Sequence, residues 1–332
     1  MISMSKNKPR LLLPEDYLKS ATEDIKKAKS HIYILTMIIA NDEVLDPFIE
    51  ALGEAARRGL TVNVAADMFT YAEIGGHFKF HTSRNPKIKS ASTLRKRLAK
   101  SGVSFRWLGK SASSIVNGRT HCKWVVIDNT AYSFGGTNLY AEGIRNTDYM
   151  LRIEDSELAT HLINAQQKFI RADRNNHVHH SKKFTVRSGV VLLDGGMLGD
   201  SVIYRRACQL TSKAKKVTYV SQYCPTGRLG RLLKKTENKL YFNHWNKASS
   251  INALTIRLGS WFSGHKTIYD RPKYLHAKLM LFEMHDGSKV ALSGSHNFSH
   301  GGVWLGTREN TLETTDTRII RQLESFIEEH VT

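Results

Sequence analysis

Two stretches of the chain repeat one succession of apolar and polar positions. Residues 15–29, EDYLKSATEDIKKAK, mix both kinds as a surface helix does, and the apolar run 31–40, HIYILTMIIA, follows as a buried strand. Next come DEVLDPFIEALGEAARRG, a helix stopped by Gly59, and LTVNVAAD, a strand over 60–67. From residue 198 the order returns: helix LGDSVIYRRACQLTSKAK, strand KVTYVSQY over 216–223, then GRLGRLLKKTENK and NALTIRLGS, a strand over 252–260. Even the joins match, KAKSHIYIL against KAKKVTYVS. The fold class predicted is α/β: two similar halves, each a mixed sheet flanked by helices. The halves are placed at 10–175 and 184–330, joined by the polar segment RADRNNHVHHSKK.

Each half continues with a stretch that the apolar pattern alone does not explain. Residues 121–138 read HCKWVVIDNTAYSFGGTN, and 276–297 read HAKLMLFEMHDGSKVALSGSHN. Both are apolar runs that open with His-x-Lys and lead to a glycine turn ending in Asn. Each half then closes with two acids at equal spacing: Asp148 and Asp155 are seven residues apart, as are Glu309 and Asp316.

Residues two apart in a strand share a face, so His121 and Lys123 are expected side by side, as are His276 and Lys278. A glycine turn lets the backbone approach a bound group, so Gly136 and Ser295 are expected substrate contacts. Asn138 and Asn297 add amide donors. Imidazole, ammonium and amide converging on one point suit an anion with non-bridging oxygens, such as a phosphodiester. Two half-sites face to face supply what exchange at phosphorus needs. One imidazole attacks and becomes a phosphohistidine, and the other moves the proton of the leaving and entering oxygens. The lysines and asparagines stabilise the equatorial oxygens. Asp148 and Glu309 are placed to accept the far ring N–H of a histidine. No metal and no cofactor is required, because two lysines neutralise the charge. Asp128 and Glu283, beyond the apolar runs, are read as structural.

The paired stretches resemble the HxKxxxxD motifs of the phospholipase D superfamily. His121, Lys123, Asp128, Gly135 and Asn138 fall on the first motif, and His276, Lys278, Gly294, Ser295 and Asn297 on the second. Glu283 stands where the family has Asp, and four extra residues around HDGSK read as a longer hairpin turn. The resemblance implies two similar halves with the site at their interface. It also implies His121 as nucleophile, with His276 as general acid and base. It does not separate lipid enzymes from nucleases. The GGTNL turn and the GTRENTLETTD tail are similar to cardiolipin-synthase-like members.

Charge and composition narrow the partner. Lys and Arg number 49 against 30 Asp and Glu, a net charge of +19, which points to a polyanion. Segments 68–89, 241–247 and 259–266 set aromatic and apolar side chains among cations, Phe78 and Phe80 foremost. That mixture suits an anionic bilayer surface, and a phospholipid substrate is the first expectation. Nucleic acid is the alternative, since the same residues stack bases and follow phosphates. With both motifs in one chain a monomer is expected. Three scattered cysteines fit a reducing compartment and no zinc site. The longest apolar run is half the length of a spanning helix. The expected location is cytoplasmic, peripheral to the membrane. His177, His179 and His180 in the joining segment have no carboxylate or cysteine at ligand spacing and read as a solvated linker.

Overall fold

The computed structural model describes residues 8–70, 86–109, 118–248 and 250–332. Two seven-stranded mixed sheets organise them. The first is built from β1 (Arg10–Leu12), β2 (His31–Thr36), β3 (Thr61–Asp67), β4 (Ser104–Leu108), β5 (Trp124–Ile127), β6 (Thr130–Ser133) and β7 (Met150–Glu154), in the order β1-β7-β6-β5-β2-β3-β4. The second comprises β8 (Lys182–Val186), β9 (Gly189–Gly195), β10 (Ala214–Val220), β11 (Glu237–Tyr241), β12 (Leu279–Met284), β13 (Lys289–Gly294) and β14 (Arg308–Thr314), in the order β11-β10-β12-β13-β14-β9-β8. In each sheet a parallel crossover pair, β2–β3 or β10–β11, joins an antiparallel hairpin, β5–β6 or β12–β13. The motif stretches form these hairpins.

Helices Pro14–Lys27 and Asp46–Arg57 cover the outer face of the first sheet, with Tyr17, Ile25, Phe48 and Leu52 buried against Ile32, Ile34 and Val64. Ile203, Ala207, Leu229 and Leu233 do the same for the second sheet. The inner faces share one core, where Leu35, Trp124 and Leu151 meet Val191, Leu279 and Leu312. Helices Ser156–Arg174 and Thr317–His330 contribute Leu162, Phe169, Leu323 and Phe326 to it. The second acid of each seven-residue spacing starts its helix. Asp155 accepts from the N–H groups of Glu157 and Leu158, and Asp316 from that of Arg318.

The pattern of apolar positions misled at three places. Residues 252–260 are not a strand. They lie in the helix Ser250–Ser263, and the strand beside β10 is β11, at 237–241. Leu254, Ile256 and Leu258 alternate over a short window, but the apolar series runs on to Trp261 and Phe262 with helical spacing. The apolar run 31–40 stops being a strand at Thr36, after which Ala40 donates its N–H to the Leu139 carbonyl. The motif strands begin one residue after the lysines, at Trp124 and Leu279. The preceding residues, His121 and His276 among them, bond instead to the opposite half.

Candidate active site

The two halves exchange backbone bonds where the motifs begin. The N–H groups of His121 and Cys122 both donate to the Arg308 carbonyl, at 2.9 and 3.0 Å. Those of His276 and Ala277 both donate to the Thr147 carbonyl, at 2.9 and 3.0 Å. The residue after each acceptor is the acid of that half. As a result each carboxylate is delivered to the other half's histidine. His121 Nδ1 lies 2.8 Å from Glu309 Oε2, and His276 Nδ1 lies 2.7 Å from Asp148 Oδ2. With the carboxylates ionised, Nδ1 carries the proton in both rings, and both Nε2 atoms are left for chemistry.

Each carboxylate is itself held. Asp148 Oδ1 accepts from the Gly136 and Tyr149 N–H groups, at 3.0 and 2.8 Å. Glu309 accepts from the Ser295 hydroxyl and, at 3.2 Å, from the Thr307 hydroxyl. Gly136 and Ser295 occupy equivalent turn positions, and in this structure both bond the acid that orients a histidine. Glycine is required at the first motif turn by close packing. A Cβ at Gly135 would fall 1.7 Å from the Tyr149 carbonyl oxygen, and one at Gly136 would fall 2.6 Å from that of His276.

The lysines are buried and fold back on their own motifs. Lys123 Nζ donates to the His121 carbonyl at 2.8 Å, and Lys278 Nζ donates to that of His276. Burial, opposed by Glu309 and Asp148, lowers Lys123 to about 8. Burial, opposed by Asp148 and reinforced by Lys123, lowers Lys278 to about 7. His121 is pushed down to about 4 by burial, with Glu309 opposing and Lys123 assisting. His276 falls to about 3 through burial and Lys278, against the pull of Asp148. Burial alone would raise both acids. Instead His121 and its hydrogen bond hold Glu309 at about 2, and the hydrogen bond and charge of His276 keep Asp148 below the usual range. Near neutrality the centre therefore sets two carboxylates and two neutral imidazoles beside a mostly charged Lys123 and a partly charged Lys278. Asn138 is buried with its Oδ1 unpartnered among the described residues, while Asn297 Oδ1 accepts from Ser221 at 3.4 Å.

Residues 21–170 match the family model described as "Cardiolipin synthase, PLD-like domain". The second motif completes the same constellation beyond that match, with the same partners in mirror arrangement. The first half of the chain carries a phospholipase D-like domain. Enzymes with this domain are phosphodiesterases and phosphatidyltransferases. No curated protein sequence matches the chain. Among solved structures, the phosphatidylserine synthase of Haemophilus influenzae Rd KW20 is similar over 98% of this chain and 86% of its own, with a TM-score of 0.71 at 15% identity. The polyphosphate kinase of Porphyromonas gingivalis is similar over 97% of this chain, with a TM-score of 0.61 at 13% identity. This chain spans half the length of that kinase. At these identities the likeness is one of fold.

The third acid-like position of each phospholipase D motif lies away from the centre. Asp128 accepts from the N–H groups of Lys29, Ser30 and His31 at 2.8, 2.9 and 3.1 Å, and so fixes the entry to β2. Glu283, in β12, forms an ion pair with Lys215 at 3.4 Å, beside the equivalent entry to β10. The hairpin there turns through Asp286 and Gly287, whose φ is +81°, and this accommodates the four added residues. Phe78 and Phe80 lie outside the described residues. His177, His179 and His180, with Lys168, Arg171 and Lys182, border a cavity of about 520 Å³ away from the motif histidines. No group of three metal-binding side chains comes together among the described residues.

Two supports went unseen in the sequence. Asp67, at the end of β3, accepts from the Thr120 N–H at 2.8 Å and from Arg119 at 2.9 Å. Asn243, after β11, both accepts from the Leu275 N–H and donates to its carbonyl, at 2.9 and 2.7 Å. Each clamps the residue before a motif histidine. An acid or amide two residues or fewer past the parallel strand of each half was the available signal. His296, in the second turn, is buried beside Glu309, and its Nδ1 accepts from the Phe298 N–H at 2.7 Å.

Proposed function

We propose that the protein exchanges phosphodiesters of phospholipids through a phosphohistidine, as a phosphatidyltransferase or phospholipase D of the cardiolipin-synthase-like kind. The observation that carries the chemistry is the crossed pairing of His121 with Glu309 and His276 with Asp148. In this reading Nε2 of His121 attacks phosphorus, and the bond to the leaving alkoxide breaks. His276 Nε2 gives that oxygen its proton. An incoming alcohol or water then loses its proton to His276 and attacks phosphorus, and the P–N bond breaks to restore His121. His276 takes up the proton needed for the first step from solvent as the substrate binds, because a bound anion raises the pKa of the imidazole facing it. Lys123 and Lys278 meet the charge on the equatorial oxygens in a site screened from water.

The lipid assignment is supported by the description of the family model over residues 21–170 and by exposed aromatic side chains among cations in the second half. The described residues contain no helix long and apolar enough to cross a membrane, so on this reading lipid is reached from the surface. The test is incubation with labelled phosphatidylglycerol vesicles and, separately, with single-stranded DNA. Release or transfer of the lipid headgroup is expected. Cleavage of DNA with no action on the vesicles would make the protein a nuclease and keep only the catalytic centre.

A further inference from the structure

The second half presents an apolar surface that the phosphodiester centre does not use. Helix Ser250–Ser263 buries Ile256 but leaves Leu254, Leu258, Trp261 and Phe262 exposed, the last two at 75% and 76%. Helix His300–Leu305 adds Trp304, 69% exposed, and Leu305. An exposed Leu needs no explanation, but several large aromatic side chains projecting from neighbouring helices do.

Both helices rest on one short segment. A Cβ at Gly259 would meet Thr226 at 3.4 Å and Cys224 at 3.6 Å, and the His300 N–H donates to Thr226 Oγ1 at 3.0 Å. That segment leaves the end of β10 just after Ser221, whose hydroxyl donates to the Asn297 carbonyl at 2.9 Å. The two helices therefore share a support that continues the strand end bonded to Asn297.

Charge identifies what covers them. Between residues 225 and 269 stand eight lysines and arginines and one acid, Glu237. That acid is already paired with Lys216 at 2.7 Å. The Arg257 guanidinium lies 5.5 Å from the Trp245 ring centroid, so cation and aromatic occupy one layer. Protein interfaces are depleted of Lys at their core, whereas headgroup layers of anionic bilayers favour Trp beside Lys and Arg.

We propose that the exposed face of helices 250–263 and 300–305 docks on an anionic bilayer. Trp261 and Phe262 enter the headgroup layer, Arg257 and Lys266 meet anionic lipid, and the Asn297 side of the centre is brought to the surface. The purpose of this docking rests on the lipid reading given above, but the docking itself is measured without turnover. Flotation with phosphatidylglycerol-containing vesicles, compared with phosphatidylcholine alone, is expected to show binding that requires the anionic lipid. The double variant Trp261→Ser, Phe262→Ser should bind at least about tenfold more weakly, with unchanged thermal melting and unchanged turnover of a small soluble diester. Vesicle binding by the double variant equal to that of the wild type overturns the docking surface and leaves the lipid reading intact. Loss of self-association in sedimentation, with vesicle binding unaffected, overturns it in favour of a second copy of the chain. Binding as expected, with no lipid turned over by the wild type, supports the surface and removes the lipid substrate.

Discussion

His121 and Glu309 are 188 residues apart in the chain and 2.8 Å apart in the structure. Their mirror pair, His276 and Asp148, is 128 residues apart in the chain and 2.7 Å apart in the structure. Neither motif histidine takes its carboxylate from its own half. The exchange follows from the backbone bonds at Arg308 and Thr147, which place each acid one residue beyond the strand contact with the other half's histidine.

Neutralising either acid should therefore disable the histidine of the opposite half. Glu309→Gln keeps the shape but lets Nδ1 become the acceptor, which puts the proton on Nε2 and removes the nucleophilic lone pair. By analogy with other imidazole–carboxylate pairs the loss in kcat is about 10²- to 10⁴-fold. Single-turnover kinetics should show Glu309→Gln slowed in forming the covalent adduct. Asp148→Asn should be slowed in the steps that move the proton of the leaving or entering oxygen. Equal adduct formation by Glu309→Gln and wild type contradicts the crossed pairing.

The lysines set the alkaline limit. Their pKa values are lowered, to about 8 for Lys123 and about 7 for Lys278, so their charge is present at lower pH and lost as pH rises through that range. His121, lowered to about 4, is a free base above that value and is protonated below it. For a soluble diester of constant charge whose leaving group needs no proton, kcat/KM should be bell-shaped, rising through about 4 and falling through about 7 to 8. Since kcat/KM reports the free enzyme, measuring it separates these limits from shifts caused by bound substrate. A plateau extending past pH 10 would show that the lysine charges do not contribute.

Asp128 gives a contrasting expectation. Asp128→Ala leaves three N–H groups at the entry to β2 without their acceptor, and should destabilise the fold by about 1–3 kcal/mol. The kcat per folded molecule should stay near that of the wild type, because Asp128 touches neither histidine nor lysine of the centre. Thermal melting read beside active-site titration checks both halves of the statement. A large fall in kcat with no loss of stability would give this acid a direct part in the chemistry.

Packing at the first turn is equally demanding. Gly135→Ala places a methyl group against the Tyr149 carbonyl, and should cost about 3 kcal/mol through the backbone shift it forces. Gly136→Ala crowds the Asp148 carboxylate and the His276 carbonyl, so activity should fall more than stability does. Melting temperature and kcat measured on the pair distinguish the two effects.

Much of this architecture is legible in the sequence because it is local. The helix–strand succession, the two motifs and the seven-residue spacing of the acids are patterns a few residues wide. The spacing was informative for a reason that structure supplies: Asp155 and Asp316 cap the helices that follow, while seven residues earlier Asp148 stands just before β7 and Glu309 in β14. What escapes is either ambiguous over a short window or set by distant contacts. Leu254, Ile256 and Leu258 fit a strand until Trp261 and Phe262 are counted. The clamps at Asp67 and Asn243 are short polar side chains whose meaning depends on Thr120 and Leu275, 53 and 32 residues away. Which histidine meets which acid is a property of how the two sheets face each other.

The most direct measurement is acid-quench trapping of the covalent intermediate with a phosphorus-labelled diester, followed by peptide mapping. Wild type should carry the label on the peptide containing His121, and His121→Ala should carry none. His276→Ala should still form some adduct with a substrate whose leaving group needs no proton, yet fail to release it. Label on the His276 peptide would reverse the two roles. Absence of any covalent adduct, in an enzyme that turns over normally, would contradict the account at its centre.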